Sequence, residues 1–457
     1  MWKKLFEPVD MTVGSPVRQI VKFMIPMLIG NVFQQLYNTV DSIVVGKYIG
    51  DNALAAVGSA GPIVNLLLVL FIGISVGAGI MVSQYFGARQ RLSLSKSIGC
   101  SITMTFVSSL IVMALAPLIS MPLLKLLNTP DEIINWCDDY LRILFLGIAG
   151  CAFYNILGGI LRGLGDSVSA LLYLIIATFL NIILDIFFVA YVGMGVPGVA
   201  LATVIAQAIS AFLSFLKLRR MTDSFDMKAA YLKPDRKYLR ELLRLGLPSG
   251  VTQAIFSLSI VIVQSLTNSF GAMCIATNVI VMRIDGFVMM PAFSFGSAMT
   301  TFAGQNIGAG RLDRVENGAK KGTLVAMATS AVITLLILLF GRYLMALFTD
   351  TDALIEQSYH MMMILGVGYI AMEVTQCLQG VMRGAGDTMA PMWLSMITTV
   401  VICVPLAYLM TGMTKSAENP HGEFYMMFVS LLITWLIGAT LTTIVYKAGR
   451  WKRKALI

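Results

Sequence analysis

The sequence predicts an all-α integral membrane protein in which twelve transmembrane helices form two six-helix bundles. Three observations support this fold class: the composition, a series of twelve apolar segments, and a repeat that relates the two halves of the chain. Of the 457 residues, 57 % are hydrophobic and only 12 % are charged, and the mean hydropathy is +0.82. Soluble domains carry about 25 % charged residues. The composition therefore excludes a set of soluble globular domains.

Twelve apolar segments are each long enough to cross the hydrocarbon core of a bilayer, which takes about 20 residues in an α-helix. They cover residues 20–44, 55–82, 97–120, 138–161, 168–191, 197–216, 245–268, 275–303, 322–341, 357–380, 389–411 and 424–446. Several exceed the length that a straight helix needs, so we expect tilted or bent helices. An even number of spans places both termini on the same side of the membrane.

The basic residues predict which side that is. Of the 33 Lys and Arg residues, 27 lie in the termini and the even-numbered loops, and only 4 lie in the odd-numbered loops. Cytoplasmic loops carry the excess of basic residues, so we expect a multi-pass protein of the inner or plasma membrane with both termini in the cytoplasm. The net charge of +9 then requires no nucleic-acid partner, because anionic membrane lipids attract the same residues.

The two halves of the chain repeat each other. Arg162–Ser167 matches Arg383–Thr388 at an offset of 221 residues, and Pro26 matches Pro248 at an offset of 222. Because six spans separate the repeats, both halves enter the membrane from the same side, which predicts a pseudo-twofold axis along the membrane normal. The predicted domains are an N-terminal six-helix bundle (1–216), a cytoplasmic linker (217–244) and a C-terminal six-helix bundle (245–457).

The doubled Arg-Gly-x-Gly-Asp sequence predicts a structural turn at the end of the fourth and of the tenth span. A glycine can end a helix in the left-handed conformation, and an aspartate can cap the helix that follows. We therefore expect Gly165 and Asp166 in the first half, and Gly386 and Asp387 in the second half, to occupy these two positions.

Acidic residues inside spans are costly to bury and commonly serve ion or proton pathways. In the N-terminal half, Asp41 of the first span, Asn181 and Asp185 of the fifth span and Thr203 of the sixth span lie at similar depth in the outer half of the bundle. These oxygen-rich side chains predict a site for a monovalent cation or a shared proton. An alternative is a set of buried polar groups that satisfy one another. The residues expected to support the site share faces with it and are Gln34, Asn38 and Thr178.

The C-terminal half carries a different set of polar and adaptable side chains. The repeat places Val263 opposite Asp41 and Leu406 opposite Asp185, so the cation site is not duplicated. The candidate residues for a substrate cavity are Asn278, Met282, Arg283, Asp285, Phe287, Met289, Glu373 and Gln376. Flexible thioethers and aromatic rings suit a cavity that accepts apolar cations. A packed methionine-rich interface with a structural ion pair explains the same residues.

Other kinds of site are not indicated. The sequence has no Gly-x-x-x-x-Gly-Lys-Ser/Thr phosphate-binding loop and only two histidines. ATP-driven transport by this chain and a metal site of several histidines are therefore not expected. We expect no cofactor, no metal other than Na⁺ at the cation site, and a monomer.

Six short segments together resemble the multidrug and toxic compound extrusion (MATE) family over almost the whole chain. They are Val45–Gly46, Ala53–Gly58, Gln84–Ala88, Leu161–Asp166, Gly195–Thr203 and Gln305–Ala309. The resemblance implies a secondary active antiporter that exports bulky, hydrophobic, mostly cationic compounds in exchange for protons or sodium by alternating access. The chain is most similar to the DinF-like prokaryotic branch, which implies that Asp41, Asn181 and Asp185 bind the coupling ion, with Thr203 beside them.

Two alternatives remain to be compared. Flippases for lipid-linked precursors share this general architecture in related families, and they favour a cavity with several basic residues, whereas only Arg142 and Arg283 lie more than two residues inside the predicted spans. A membrane-embedded enzyme would need paired acids at a metal-diphosphate spacing or a histidine-rich cluster, and neither pattern occurs. The sequence therefore favours the exporter over the flippase, and a transporter over an enzyme.

Overall fold

Helices make up almost all of the chain that the structure describes, which is residues 9–127, 129–416 and 422–456 of a computed structural model. These residues contain no β-strand. The α-helices are α1 (Pro16–Tyr48), α2 (Asp51–Gly87), α3 (Arg91–Leu126), α4 (Asp131–Leu146), α5 (Ile148–Gly163), α6 (Ser167–Asp185), α7 (Val196–Arg220), α8 (Arg236–Asn268), α9 (Ala272–Val288), α10 (Met290–Gly308), α11 (Leu312–Ala346), α12 (Asp352–Gly384), α13 (Met389–Met396), α14 (Val404–Met413) and α15 (Tyr425–Lys447).

The helices follow the predicted spans in order. Ten helical runs of the described residues are long and apolar enough to cross a membrane, and α4 with α5 forms an eleventh that is bent by 53°. The remaining helix, α1, is 33 residues long but is more polar, because its middle carries Asn31, Gln34, Gln35 and Asn38. The all-α membrane fold predicted from the sequence is therefore confirmed.

Several spans differ from simple straight helices. The fourth span is broken between Leu146 and Ile148, and π-helical turns at Ile186–Tyr191 and Ile397–Cys403 interrupt the fifth and eleventh spans. The seventh span begins at Arg236, nine residues before the apolar segment, so helix continues into the predicted linker. Hydropathy marks the membrane-crossing part of a helix and does not report where its hydrogen bonds begin.

Contacts divide the chain into two units. The first unit contains Ile25–Gly250, and the second contains Met11–Met24 and Val251–Ala455. Both divisions fall inside a helix, next to Pro26 of α1 and close to Pro248 of α8. The first turns of α1 therefore belong to the second unit, and the first turns of α8 belong to the first unit.

In the first unit, α5 lies directly against α2 because both helices have small residues at the crossing. A Cβ atom added to Gly159 would lie 2.6 Å from the carbonyl oxygen of Ser75, and one added to Gly163 would lie 2.6 Å from that of Gly79. Backbone cannot yield as a flexible side chain can, so larger residues at these positions would force the helices apart.

The second unit repeats this crossing with α12 and α10. A Cβ atom added to Gly380 would lie 2.3 Å from the carbonyl oxygen of Gly296, and one added to Gly384 would lie 2.2 Å from that of Thr300. All four residues lie 221 positions after their counterparts in the first unit. The sequence repeat is therefore also a repeat of helix packing.

The doubled turn has the predicted conformation in both units. Gly165 and Gly386 have φ angles of +88° and +93°, in the left-handed region. Asp166 and Asp387 each accept the backbone N–H three residues later, at 2.9 Å and 3.3 Å. Asp166 also lies 3.4 Å from the ammonium of Lys217. The first copy of the turn is therefore more strongly held than the second.

The doubled Gln-x-x-Gly-Ala segment binds the ends of the described chain. In the second unit, the backbone N–H of Met11 donates to Gln305 Oε1 at 2.9 Å, and the Asn306 amide donates to the Met11 carbonyl at 3.2 Å. In the first unit, the backbone N–H of Leu456 donates to Gln84 Oε1 at 2.9 Å. Gln84 and Gln305 are repeat counterparts, so both copies of the segment hold a backbone N–H outside the helices through the same side-chain atom.

Candidate functional site

The predicted cation-site residues meet in the first unit, where α1, α6 and α7 carry them. Asn181 and Asp185 lie one turn apart on α6, so their side chains share a face. The α-helix ends at Asp185 and continues as the π-helical turn Ile186–Tyr191. Such π-helical insertions occur frequently at functional sites, and this one lies directly beside the acid. Hydropathy and residue spacing carry no signal for it.

The Asn181 amide connects the two acids. With its nitrogen facing the carboxyl groups, it lies 2.8 Å from Asp41 Oδ1 and 3.1 Å from Asp185 Oδ2. This amide orientation is assigned because the opposite one would direct an oxygen at two carboxylates. Asn181 therefore donates one hydrogen bond to each acid and holds them together.

Thr203 and Tyr37 extend the network on the other side of Asn181. The second amide atom of Asn181 lies 3.4 Å from Thr203 Oγ1, and the Tyr37 hydroxyl donates to the same oxygen at 3.0 Å. Thr203 can accept from Tyr37 and donate to the amide oxygen. A continuous hydrogen-bond chain therefore leads from Tyr37 to the acid pair.

Two carboxyl groups meet in this cluster, an arrangement that a proton or a cation would stabilise. The carboxyl groups of Asp41 and Asp185 contact each other, and Asn181 and Asp185 are fully buried. Asp185 Oδ1 is buried without a hydrogen-bond partner among the described residues. Two ionised carboxylates in contact would repel each other strongly in such a site. Neutralising one of them by a proton, or both in part by a hard monovalent cation, removes that repulsion.

The three residues expected to support the site take no direct part in this cluster. Thr178 is buried, but its hydroxyl donates to the backbone carbonyl of Leu174 at 2.9 Å. Gln34 is half-buried and Asn38 is exposed, and no hydrogen bond among the described residues joins their side chains to Asp41. Helical spacing shows that residues share a face, but it does not show where their side chains end.

Two tyrosines that the sequence reasoning missed lie beside the acids. Tyr37 precedes Asp41 by one turn, and its i, i+4 spacing could have identified it. Tyr140 of α4 is close enough to interact electrostatically with both Asp41 and Asp185, but it comes from another helix. Only the packing of α4 against the site brings it there.

The second unit contains two acids on different helices, of which Asp285 is half-buried and Glu373 is buried. Asp285 of α9 interacts with the side chain of Tyr369 on α12, and its Oδ1 has no hydrogen-bond partner among the described residues. Glu373, one turn after Tyr369, is 1 % exposed, and its Oε2 likewise has none there. No amide comparable to Asn181 joins these acids in the hydrogen bonds of the described chain. Each acid is therefore a separate polar position in an apolar core.

The other candidate cavity residues divide into buried and exposed groups. Asn278 is buried, donating to Gln264 Oε1 at 3.1 Å, and Met289 is packed in the core of the unit. Gln376 is half-buried, whereas Met282, Arg283 and Phe287 are exposed. Arg283 is exposed while Asp285 is half-buried, as expected for residues two apart on a helix. The structural ion pair considered from the sequence is not among the salt bridges of the described residues.

Clusters of three or more His, Cys, Asp or Glu side chains that could hold a metal are not found in the described part of the chain. The oxygen atoms of Asp41, Asp185 and Thr203 are hard donors, the type that alkali and alkaline-earth cations prefer over softer metals. The first-unit cluster therefore suits a proton or Na⁺.

Comparison with known proteins supports the repeat and the fold. The MatE family model matches the chain twice, over residues 26–187 and 248–409. The two matches begin 222 residues apart, at Pro26 and Pro248. Each match covers most or all of the first five spans of its half and ends before the sixth, so five of the six spans are recognisable as a repeat in both halves.

Relatives match over nearly the whole chain. A probable multidrug resistance protein, YoeA of Bacillus subtilis, is 31 % identical over 87 % of this chain and 88 % of its own length. A probable multidrug resistance protein, NorM of Thermotoga maritima, is 24 % identical over 96 % of this chain and 94 % of its own. The solved structure of a multidrug resistance MATE family transporter in an outward-facing conformation superposes with a TM-score of 0.90, covering 97 % of this chain and 98 % of that one at 24 % identity.

Proposed function

The chain belongs to the MatE family of membrane transporters, and we propose that it is a secondary active antiporter that exports bulky, hydrophobic, mostly cationic compounds in exchange for protons or sodium. Members of this family are transporters and not enzymes. Its relatives named as multidrug resistance proteins support export of several compounds rather than of one. The observation that carries the coupling part of the proposal is the Asp41–Asn181–Asp185 cluster.

Ion binding at this cluster would change its hydrogen bonds. A proton on Asp41 or Asp185 removes a negative charge and adds a donor, so the groups could then bond to each other directly. Since α1 and α6 carry one acid each, the ion alters how these helices are held together. An ion shifts a conformational equilibrium only if its affinity differs between the two states. Alternating access therefore requires the geometry of this cluster to differ between inward-open and outward-open forms.

A proline in α1 marks a position where this helix could bend and so change the geometry of the cluster. Pro26 lies inside α1, about four turns before Asp41. It lacks a backbone N–H and weakens the helix there. We propose that the ion bound at Asp41 biases a bend of α1 at this position.

The substrate is proposed to contact the second unit. Its acids, Asp285 and Glu373, supply negative charge, and Met282 and Phe287 supply exposed sulfur and aromatic surface. Aromatic faces and carboxylates attract organic cations, and thioethers adapt to different shapes. This combination suits lipophilic cations such as quaternary ammonium compounds. We propose that the transporter works as a monomer in the cytoplasmic membrane, with both termini in the cytoplasm.

Transport of a lipophilic cation in proteoliposomes tests the proposal, with proton and sodium gradients imposed separately. We expect one of the two gradients to drive uptake or efflux in the wild type, and neither to do so in Asp41→Asn or Asp185→Asn. The matched control is Asp138→Asn, since Asp138 is a buried acid of the same unit that is already paired with Arg142 at 2.8 Å and Ser120 at 2.5 Å. Full gradient-driven transport by both site variants would disprove the assignment.

A flippase for a lipid-linked precursor is the second candidate. Similar architecture occurs in such proteins, and fold similarity does not identify the substrate. If the cation panel gives no transport while an anionic, lipid-linked compound is moved between leaflets, the flippase replaces the exporter. Arg283, an exposed cation of the second unit, would then be the residue to substitute first.

A further inference from the structure

The first turns of α8 carry a row of basic side chains beside an open cavity. Arg236, Lys237, Arg240 and Arg244 are exposed, and Leu242 on the opposite face is fully buried. A cavity of about 610 Å³ opens along the basic face. The residues that line it are Arg236, Lys237, Arg240, Glu241 and Arg244. This part of α8 is therefore amphipathic, with its cations facing an accessible space.

Two carboxylates belong to this part of the chain: Glu241 lines the cavity, and Asp235 directly precedes α8. Glu241 accepts a hydrogen bond from the Tyr85 hydroxyl at 2.8 Å. Asp235 lies 3.6 Å from the ammonium of Lys96 and also accepts the backbone N–H of Lys237 at 3.0 Å. The Tyr85 hydroxyl is neutral, so Glu241 keeps its negative charge, and Asp235 is shared with Lys96. Two carboxylates therefore stand against the four cations of the row, which keeps a net positive charge along the cavity.

The spacing of the cations is unfavourable without an anion. Arg236 and Arg240 are four residues apart, where like charges on a helix repel each other. They also lie in the first turns of α8, where the helix dipole disfavours positive charge, and α8 has no acidic residue in its first turn. An anion between these side chains would remove both costs.

The position of these basic residues relative to the membrane indicates which anion they can reach. The apolar part of α8 begins at about residue 245 of the sequence, so Arg240 lies five residues, or about 7 Å of helix, beyond the hydrocarbon. Lipid headgroups occupy about 5–8 Å on each side of the hydrocarbon core. Arg240 is therefore at the level of lipid phosphates, and a guanidinium binds a phosphate through two parallel hydrogen bonds.

We infer that this cavity binds the phosphate headgroup of an anionic phospholipid from the cytoplasmic leaflet. The inference rests on the proposed orientation of the spans, which places this loop in the cytoplasm. The sequence repeat supports it independently, because Arg18 and Lys22 of α1 are the counterparts of Arg240 and Arg244 and are also exposed. Lys237 and Arg236 have no basic counterpart, so the complete row is particular to α8.

Lipid binding to the purified full-length protein tests the inference. Phosphatidylglycerol, phosphatidylcholine and inorganic phosphate are titrated separately, and bound molecules are counted by native mass spectrometry. The Lys237→Gln, Arg240→Gln double variant should bind phosphatidylglycerol ~10- to 30-fold more weakly, since each charge-assisted hydrogen bond lost from the cavity to the phosphate costs about one factor of five. Binding of phosphatidylcholine should stay the same.

The control removes two cations from another part of the chain. Lys320 and Lys321 of α11 are exposed, and Lys320→Gln, Lys321→Gln should leave phosphatidylglycerol binding within about twofold. An equal loss of phosphatidylglycerol binding in both double variants would contradict the inference, because the lipid would then be attracted by net charge and not by this cavity. If inorganic phosphate binds as tightly as the lipid, and only when Lys237 and Arg240 are present, the ligand is a soluble phosphate and not a lipid.

Thermal unfolding checks that each variant is folded, and Arg240→Lys, which keeps the charge, should retain most of the binding. Because no gradient is applied, a failure here leaves the transport proposal untouched.

Discussion

In the first unit, Gly159 and Gly163 allow α5 to lie directly against α2, and in the second unit Gly380 and Gly384 do the same for α12 and α10. The acids do not follow this repeat. In the first unit the Asn181 amide joins Asp41 and Asp185, whereas no amide among the described residues joins Asp285 to Glu373 in the second. A close helix crossing is needed in both units for packing, so its small residues are retained. The proposed ion site would be needed only once, which would leave the other unit free to carry different chemistry at the matching depth.

The largest expected difference between the units is in coupling. Asp185→Asn should abolish gradient-driven transport, because the remaining acid can no longer share an ion. Asp285→Asn and Glu373→Gln should retain gradient dependence and instead weaken the apparent affinity for cationic substrates. Initial transport rates at varied substrate concentration, measured with and without a gradient, separate the two effects. Loss of gradient dependence in the Glu373→Gln variant would show that the second unit also binds the coupling ion.

Packing at the repeated crossing should respond equally in both units. Gly159→Ala and Gly380→Ala each place a methyl group against backbone, which should lower the free energy of unfolding by about 1–3 kcal/mol. The matched controls are Gly58→Ala and Gly286→Ala, where an added Cβ meets no atom within 4 Å. These should be neutral or slightly stabilising, by up to about 1 kcal/mol, because alanine favours helix.

Thermal unfolding in one detergent measures all four glycine variants. A destabilised Gly159→Ala beside an unaffected Gly380→Ala would show that the second crossing can relax. The repeat would then be one of sequence and not of packing tightness.

The doubled turn should show a smaller, unequal effect. Asp166 accepts hydrogen bonds from both the backbone and the side chain of Ser169, at 2.9 Å and 2.7 Å, and pairs with Lys217. Asp387 accepts one backbone hydrogen bond, at 3.3 Å. Asp166→Ala should therefore cost about 1–2 kcal/mol of stability, and Asp387→Ala less than about 1 kcal/mol. Equal losses would mean that the backbone cap alone matters, and Asp166→Asn, which keeps the acceptor, distinguishes the charge from the cap.

The smallest expected effect is the pH dependence of a salt bridge to the segment that links the two halves of the sequence. Arg91 forms a salt bridge with Asp226 at 2.7 Å, which holds the pKa of the Asp226 carboxyl below its ordinary value. The repeat counterpart of Arg91 is Leu312, so only the first unit has this contact. A lowered pKa in the folded state adds stability at pH values above the ordinary pKa, and that contribution is lost as the pH falls through the lowered value. The pair is exposed, so the effect is small.

Hydrogen exchange of residues 222–228 at pH 7 and pH 3 measures this contact. The protection of these amides, relative to their intrinsic exchange rate at each pH, should fall at low pH in the wild type and should already be lower at pH 7 in Asp226→Asn. An Asp226→Asn protein with the same pH response as the wild type would assign the response to another group.

Much of the architecture could be predicted from the sequence because a bilayer imposes one simple requirement. Every span needs about 20 apolar residues in hydrogen-bonded helix, so the twelve segments and their order are visible as apolar runs in the sequence. The repeat is visible as matching motifs at a constant offset. The cap at Asp166 and the positive φ at Gly165 were likewise predictable, since they depend on local backbone chemistry. Asp41 and Asp185 could be chosen as candidate residues because acids are rare in spans, and Asn181 because it lies one turn from Asp185; their role in ion binding stays a prediction.

The contacts within the site depended on tertiary structure. The position of Asn181 between the acids, the approach of Tyr140 from α4 and the link from Tyr37 to Thr203 all join residues from different helices. Helical periodicity orients a side chain relative to its own axis, and it does not determine how neighbouring helices rotate or bend. The break before Ile148 and the π-helical turn after Asp185 change the direction of these helices and the rotation of the residues that follow. The sequence by itself therefore determined which helices form and which acids they bury, while the packing of one helix on another decided which of those groups touch.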